Sequence, residues 1–342
     1  MKILHIANFS YNSHGAAFYN CDRKISAGWT RRGHFVYEFS LRDMARMGTI
    51  FRTKRLGTGW ANAEVLRVCE YLQPDLVLLG HAQILAANTL KEIRRLYPNT
   101  RIAMWYVDWL SAADKVQYMQ TFAPYLDALF ATTGGTLLEN VVPASVTRAF
   151  IPNPVERSVE SLQNFKKQQF SHELIFCGTV GDDIERRVFM EKIQHDLAHL
   201  PLAFHGLLGQ KQVEGVDYTN ALSNTRMGLN YSRRNDIPLY SSDRIAQLTG
   251  NGLLTFSPRI PEFTKLYAED ELVYFDHVDD LIEKVNHYHR YPEQAAQIAE
   301  KGWQRAHSTC AVERVVRFME ETLLHQGYSE QYEWSDHVFF AQ

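Results

Sequence analysis

The sequence has little of what marks several specialised classes of protein. Its 342 residues include only four cysteines, which are far apart in the chain (Cys21, Cys69, Cys177 and Cys310). None of them has the short spacing of a zinc site or of a disulfide framework. No apolar run approaches the ~20 residues that a membrane-spanning helix needs, and the opening MKILHIANFS turns polar too early for a secretory leader. We therefore expect a cytoplasmic protein, at most peripheral at the cytoplasmic face of a membrane.

A surplus of positive charge is also missing. The formal net charge is −3, whereas a nucleic-acid-binding protein needs basic residues for its phosphate contacts. One basic cluster departs from this balance, and it comprises Arg42, Arg46, Arg52, Lys54 and Arg55. It is either a solvated loop or a surface for an anionic acceptor or anionic lipid.

Two catalytic signatures are absent as well. Gly15 stands without the other glycines of a GxGxxG turn, which argues against a dinucleotide cofactor, and the GxSxG elbow of a serine hydrolase is missing. The acidic pairs Asp182-Asp183 and Asp279-Asp280 lie at a helix start and a surface turn, so we interpret them as capping or solvated residues. No metal site is predicted.

What the sequence does contain is a repeated alternation of strand-like and helical segments. The first series of strands is predicted at 3–7, 35–39, 76–79, 102–107, 128–131 and 146–151, and the second at 174–177, 202–205, 227–231, 253–257 and 272–275. Alternating strands and helices predict parallel sheets covered by helices on both faces. Between the two series, Ile151-Pro152-Asn153-Pro154 continues neither element and marks a domain boundary.

The end of the chain is predicted to be helical to about Gln326 and is followed by an aromatic tail. The tail contains Tyr328, Tyr332, Trp334, Phe339 and Phe340. So many aromatic side chains are unfavourable in water. We expect the tail to pack on the first domain or on a partner.

The most informative segment is 226–258, which indicates a strand, a polar loop, a helix and a second strand. Ser241, Ser242 and Asp243 provide N-cap chemistry for the helix, and Gly250-Asn251-Gly252 ends it. A helix start beside arginines favours an anion. A diphosphate is the expected ligand.

Arg244, Gln247 and Gly252, followed by Leu253-Leu254, resemble the donor-site signature of GT-B glycosyltransferases, in particular the CgeB-like group and glycosyltransferase family 4. In that pattern a Glu, thought to hold the nucleotide ribose, stands where this chain has Gln247. The resemblance implies an α/β GT-B fold with two Rossmann-like, doubly wound domains facing a central cleft. It implies an acceptor-binding domain at 1–152, a nucleotide-sugar-binding domain at 153–317, and a final helix and tail at 318–342 that cross back to the first domain.

The resemblance extends to FCGTVGDDIERR, since CgeB-like chains have a Phe-x-Gly-Thr/Ser turn followed by an arginine in the next helix. It implies that Arg186 or Arg187 faces the diphosphate, that the other lies on the surface, and that Gly178 permits close backbone approach. The complete set of expected donor-binding residues is Gly178, Thr179, Arg186, His205, Asn230, Ser242, Asp243, Arg244 and Gln247.

In the first domain, candidates follow the predicted strands, because ligands of parallel sheets bind beyond the strands' carboxyl ends. Asp108 ends the aromatic strand MWYVD, where desolvation would raise its pKa and suit a general base; the alternative is an N-cap for a helix beginning near Ala112. A loop through Gly15 is predicted to lead into a long helix ending at Gly33. The alternative bases are His14 and Asp43, and the expected acceptor-binding residues are Ser10, Gly15, Arg42 and His81.

The resemblance implies a metal-independent glycosyltransferase of hexosyltransferase type, with a nucleotide-sugar as substrate and no cofactor. The acceptor is expected to be a glycan, a lipid-linked molecule or another acceptor, and the role to be in bacterial cell-surface polysaccharide or lipopolysaccharide synthesis. Two other classes stay open. One is a nucleotide-sugar-modifying enzyme of the non-hydrolysing epimerase type, and the other is a non-catalytic nucleotide- or sugar-binding protein.

Overall fold

The computed structural model describes all residues from 1 to 342, and they form two compact units. The first unit combines Met1–Ile151 with Val312–Gln342, and the second is Pro152–Ala311. The chain thus leaves the first unit at the proline-rich segment identified in the sequence. It returns at Val312, six residues before the expected position.

Twelve strands form two sheets. The strands are β1 (Lys2–Ala7), β2 (Phe35–Ser40), β3 (Leu76–Leu79), β4 (Arg101–Tyr106), β5 (Ala128–Ala131), β6 (Thr147–Phe150), β7 (His172–Cys177), β8 (Leu202–His205), β9 (Thr225–Leu229), β10 (Leu254–Pro258), β11 (Val273–Phe275) and β12 (Val338–Phe339). All strand segments predicted from the sequence are present, and only the two-residue β12 was not foreseen.

Twelve α-helices connect and cover the strands. They are α1 (Cys21–Arg31), α2 (Leu41–Met47), α3 (Lys54–Leu72), α4 (Ala87–Leu96), α5 (Ala113–Phe122), α6 (Gly135–Asn140), α7 (Ile184–Asp196), α8 (Gly215–Ser223), α9 (Arg244–Gly250), α10 (Val278–Arg290), α11 (Pro292–Thr309) and α12 (Val312–Leu323). None combines the length and apolar character required to cross a bilayer.

The sheet of the first unit has the strand order β12-β6-β5-β4-β3-β1-β2. β1 to β6 are parallel, and β12 pairs antiparallel with β6. β3 and β5 consist of buried apolar residues throughout, as expected for strands covered on both faces. The strand order reverses between β1 and β3, so the ligand crevice of this unit is expected at the carboxyl ends of these two strands.

The C-terminal residues complete the first unit. α12 packs on α1, where Gly28 gives close approach: a Cβ there would lie 2.7 Å from Val312 Cγ2. Beyond α12, Tyr332 and Trp334 are buried around Phe318. These two aromatic residues of the tail are therefore part of the core of this unit, whereas Phe340 is exposed.

The second unit has the order β11-β10-β9-β7-β8, with all pairings parallel. Its core includes Phe176 on β7, Leu229 on β9 and Met190 on α7. The order reverses between β7 and β9, which predicts a second crevice beyond Cys177 and Leu229.

The structure locates two predicted helix starts. After the loop through Gly15, α1 begins at Cys21, because Asn20 caps it by accepting from the backbone N–H of Arg23 at 3.0 Å. At α9 the N-cap is Asp243, and its side chain makes no capping hydrogen bond. The serines expected to cap α9 make other hydrogen bonds, Ser241 Oγ to Asn230 Oδ1 and Ser242 Oγ from Arg244 Nη1.

Candidate functional site

The crevice of the second unit is organised by Arg244. Its Nε donates to the carbonyl of Cys177 at 2.9 Å, and its Nη1 donates to the carbonyl of Tyr231 at 3.2 Å. These carbonyls lie at the carboxyl ends of β7 and β9, the two strands between which the strand order reverses. Arg244 therefore spans the position where a ligand is expected.

Arg186 is the third residue of α7 and lies beside Arg244. The two guanidinium groups lie over the ring of Phe176, at 5.2 Å for Arg186 and 4.5 Å for Arg244. Gly178 leaves room for both: a Cβ there would be 2.8 Å from Arg244 Nη2 and 3.3 Å from Arg186 Nη2. We call Arg186 and Arg244 the arginine pair.

No acidic side chain neutralises Arg186. It is only 5% exposed, forms no salt bridge, and its Nε has no hydrogen-bond partner. Burial, followed by the charges of Arg244 and Arg233, lowers the pKa of Arg186 to about 10, and burial also lowers the pKa of Arg244. Two like charges held together with an unsatisfied donor are costly unless an anion joins them. The arginine pair is thus arranged to receive a negatively charged group.

The nearest acidic residue and the neighbouring arginine have other roles. Asp183 caps α7, since its carboxylate accepts the backbone N–H of Arg186 at 3.0 Å. Arg187 is exposed, and its Nη2 donates to the carbonyl of Gly181 at 3.3 Å. The structure therefore separates the two arginines that the sequence left undecided: Arg186 lies in the crevice and Arg187 on the surface.

Ser242 and Asn230 hold the crevice in shape. Ser242 Oγ accepts from Arg244 Nη1 at 3.1 Å, and its backbone N–H donates to Ser232 Oγ. Asn230 is fully buried, with its amide between Ser241 Oγ at 3.0 Å and Ser257 Oγ at 3.1 Å. The expected direct contact of Asn230 with the donor does not fit this burial.

The positive charge of the crevice comes from the arginine pair. α9 has only seven residues, so its helix dipole is not the main source of this charge.

Gln247 has both ends of its amide engaged. The hydroxyl of Tyr218 donates to its Oε1, and its Nε2 donates to Asp243 Oδ2 at 2.6 Å. This places a carboxylate next to the position where the resembling family has Glu. Asp243 is therefore an acidic side chain one helical turn before Gln247 and bound to its amide.

The remaining donor candidates lie at the same carboxyl edge of the sheet. Gly178 and His205 are partly exposed and Thr179 is exposed. The backbone N–H of Gly178 donates to the carbonyl of His205 at 3.0 Å, which joins the ends of β7 and β8. Burial, followed by the charge of His172, lowers the pKa of His205.

The crevice of the first unit contains a His–Asp pair. His81 follows β3, and its Nδ1 lies 2.9 Å from Oδ2 of Asp22 on α1. Asp22 is 1% exposed, whereas the His81 side chain is 34% exposed. Because a carboxylate only accepts, Nδ1 carries the proton and Nε2 keeps its lone pair. Burial alone would lower the pKa of His81, but the charge and hydrogen bond of Asp22 outweigh it and raise this pKa.

A second histidine supports Asp22 from inside. His5 Nε2 lies 3.9 Å from Asp22 Oδ1, and His5 Nδ1 lies 2.8 Å from Ser26 Oγ. Trp105 Nε1 donates to His5 Nε2 at 3.4 Å, so His5 is neutral with its proton on Nδ1. Burial lowers the pKa of His5 to about 4. Asp22 therefore has one histidine that stays neutral and one that can take a proton.

Asp108 does not have the apolar surroundings expected from the sequence. Its side chain is 42% exposed and forms a salt bridge with Lys115 at 2.5 Å. It is no helix cap either, because α5 begins at Ala113 with Ala112 as N-cap. Its carboxylate is therefore engaged with Lys115 and partly solvated, rather than held in an apolar pocket.

Asp43 is committed to the local fold. It is 5% exposed and accepts hydrogen bonds from Ser40 Oγ, from the backbone N–H of Tyr11 at 2.8 Å and from Arg46 Nη1 at 3.0 Å. All three donors belong to the protein, so this carboxylate is occupied by structural hydrogen bonds. The expectation that Asp43 serves as an alternative base does not fit these contacts.

The loop after β1 carries three of the other candidates. Ser10 and His14 adopt left-handed conformations with φ of 50° and 52°, and Gly15 follows with φ of 89°. His14 and Gly15 are exposed. Arg42 donates from Nη2 to Gln83 Oε1 at 2.6 Å, beside His81. The structure thus brings Arg42 to the His–Asp pair and leaves His14 in solvent.

Comparison with known proteins agrees with this architecture. Residues 186–321 match the family described as "Glycosyl transferase-like". Sucrose-phosphate synthase from Thermosynechococcus elongatus has a similar structure, with a TM-score of 0.59 and 10% identity over 95% of this chain and 98% of that one. HepE from Anabaena in complex with UDP and glucose is also similar, with a TM-score of 0.58 and 12% identity over 95% of this chain and 100% of that one. No curated protein sequence matches significantly.

The chain has the GT-B fold. The fold implied by the resemblance is therefore confirmed. Another structure of this GT-B fold is the putative UDP-N-acetylglucosamine 2-epimerase from Listeria monocytogenes, with a TM-score of 0.53 and 12% identity over 97% of this chain and 99% of that one. A sucrose-phosphate synthase and a putative epimerase are thus both among the similar structures.

Sequence reasoning missed Asp22. It lies in the first turn of α1, 59 positions before His81, and no local pattern connects the two residues. The available signal was the topology, because the start of α1 and the end of β3 meet at the reversal between β1 and β3.

Proposed function

We propose that this GT-B protein is a glycosyltransferase that uses a nucleoside diphosphate sugar as donor. The observation that carries the proposal is the arginine pair over Phe176, in which Arg186 is buried, Arg244 is partly exposed and neither forms a salt bridge. A diphosphate would provide the negative charge that balances the two guanidinium groups. Each guanidinium can also donate two N–H groups to phosphate oxygens. UDP is the first donor nucleotide to test, because similar structures contain UDP.

The same residues serve the chemical step. When the acceptor oxygen bonds to the sugar carbon, the bond from that carbon to the diphosphate breaks and negative charge moves onto the diphosphate. The arginine pair stabilises that charge as it develops. In this proposal Arg186 and Arg244 supply the positive charge, and no divalent cation is required for donor binding.

His81 is the proposed general base. Its Nε2 takes the proton from the acceptor hydroxyl, and Asp22 stabilises the resulting imidazolium. This assignment takes the place of Asp108, whose carboxylate is paired with Lys115. Base catalysis of this kind corresponds to inversion at the sugar carbon. A glycan or lipid-linked acceptor of bacterial cell-surface polysaccharide synthesis is the proposed second substrate.

The decisive experiment measures UDP binding by calorimetry for Arg186→Gln and for the matched control Arg187→Gln. Both variants remove one arginine from neighbouring positions of α7, but only Arg186 lies in the crevice. We expect Arg186→Gln to weaken binding by about 1.5–3 kcal/mol, the scale of a hydrogen bond to a charged group, and Arg187→Gln to change it little. Equal affinities for both variants and the wild type would remove the arginine pair from the donor site.

Incubation with a UDP-sugar separates the proposed function from epimerisation. A glycosyltransferase gives a glycosylated acceptor, and its turnover should persist in EDTA. An epimerase changes the sugar or releases UDP without any acceptor. Tight UDP binding without either product would indicate a non-catalytic binding protein.

A further inference from the structure

An exposed apolar and basic surface lies between α2 and α3 in the first unit. Its apolar members are unusually exposed for large side chains: Met47 is 74% exposed, Ile50 97%, Phe51 77%, Leu56 63% and Trp60 40%. Single exposed apolar residues are ordinary, but a cluster of five marks an interaction surface. We call residues 47–60 the α2–α3 loop surface.

The charge on this surface has one sign. Arg52, Lys54 and Arg55 are exposed and form no salt bridges. The α2–α3 loop surface contains no acidic residue, and the nearest one before it, Asp43, is buried and already paired with Arg46. Its electrostatic complement is therefore an anionic partner.

Tight packing underneath holds the surface in place. Gly57 lies against the backbone of Ala45 so closely that a Cβ would overlap its carbonyl, and Gly48 lies in the same way against the ring of Trp60. Gly57 thus lets α2 and α3 approach each other. The apolar side chains are exposed on a defined helix–loop–helix segment.

We propose that the α2–α3 loop surface docks on the surface of an anionic lipid bilayer. Apolar side chains interleaved with arginine and lysine match the acyl boundary and the headgroups at the same time. A second copy of the chain would bring like charges together, which opposes self-association through this surface. The inference does not depend on sugar transfer.

The α2–α3 loop surface lies near the edge of the sheet that carries His81, which links docking to the proposed acceptor. α2 follows β2 directly, and His81 follows β3, so both lie at the carboxyl edge of the parallel sheet. Docking through residues 47–60 brings this edge towards the membrane. A lipid-linked acceptor is then the class of acceptor that His81 would meet.

Sedimentation with vesicles tests the inference. The full chain is mixed with vesicles of phosphatidylcholine and phosphatidylglycerol in equal amounts, and with vesicles of phosphatidylcholine alone. We expect binding to the anionic vesicles that falls with added salt. Ile50→Ser/Phe51→Ser and, separately, Arg52→Gln/Arg55→Gln should each lower the partition coefficient at least about tenfold.

The matched control is Tyr71→Ser/Leu96→Ser, which removes two exposed apolar side chains, 83% and 46% exposed, from helix ends at the opposite edge of the sheet. This variant should bind like the wild type, and all variants should keep the wild-type melting temperature. Failure of the wild type to bind, an equal loss in the control, or self-association without vesicle binding would each overturn the inference. UDP affinity, measured on the same samples, reports on the donor site independently.

Discussion

Oδ2 of Asp22 lies 2.9 Å from Nδ1 of His81, and this contact joins a buried carboxylate to a partly exposed imidazole. The contact fixes the ring and leaves Nε2 available. It also gives the proton acceptor a charge partner that solvent does not reach. The kinetic consequences can be tested separately from donor binding.

His81→Gln should lower turnover about 10²- to 10⁴-fold with UDP affinity unchanged, because only the proton transfer is lost. The pH profile provides a sharper test of Asp22. Activity should rise with pH as His81 loses its proton. Since Asp22 raises the pKa of His81, Asp22→Asn should move this rise to lower pH and lower the plateau. An unchanged profile would limit Asp22 to a structural role.

Asp108→Asn discriminates between the two candidate bases. We expect turnover to stay within about a few-fold of the wild type, because breaking a partly exposed ion pair has a small effect. The acceptor reaction is measured together with UDP affinity. A large loss of turnover at constant affinity would assign the base to Asp108 instead of His81.

Gln247→Glu should destabilise the second unit, although it restores the acid of the family pattern. The new carboxylate would replace the amide that donates to Asp243 Oδ2 at 2.6 Å. We expect a loss of about 1–2 kcal/mol in unfolding free energy at neutral pH, and less at acid pH, where one carboxyl is protonated. The swap Asp243→Asn/Gln247→Glu should recover the stability. Urea unfolding of the wild type and of these two variants tests this, and no recovery in the double variant would contradict the pairing.

His5 predicts sensitivity of the fold to acid. Its pKa is about 4 in the folded protein against an ordinary 6.5, so the unfolded chain binds a proton that the folded chain refuses. Stability should therefore fall as pH decreases from 6.5 towards 4, by about 3 kcal/mol in total. His81, whose pKa is raised, acts in the opposite direction. The measurement compares the pH dependence of urea unfolding for wild type and His5→Gln, which should show a smaller loss.

The strands could be predicted because buried parallel strands form continuous apolar runs. LVLL at β3 and ALFA at β5 are four-residue apolar runs, too short for helices and typical of strands buried on both faces. The prolines at 152 and 154 mark where the chain leaves the first unit. β12 has two residues and therefore no pattern of its own. Its existence depends on pairing with β6, which only the tertiary structure shows.

The site could be predicted only in part. The donor signature located Arg244, but the choice between Arg186 and Arg187 depends on the rotation of one short helix about its axis. A one-residue error in the start of α7 would exchange them. Asp108 was favoured from its aromatic neighbours, whereas Lys115, seven residues later, keeps its carboxylate in an ion pair.

The discontinuous first unit sets an order for folding during synthesis. Residues 152–311 form a continuous unit, and all their partners within it exist once Ala311 has left the ribosome. The packing of the first unit is completed later, because α12, Trp334 and β12 belong to it and are translated after the second unit. A nascent chain therefore exposes one face of α1 and the edge of β6 until residues 312–342 have left the ribosome, and we expect chaperones to bind this surface.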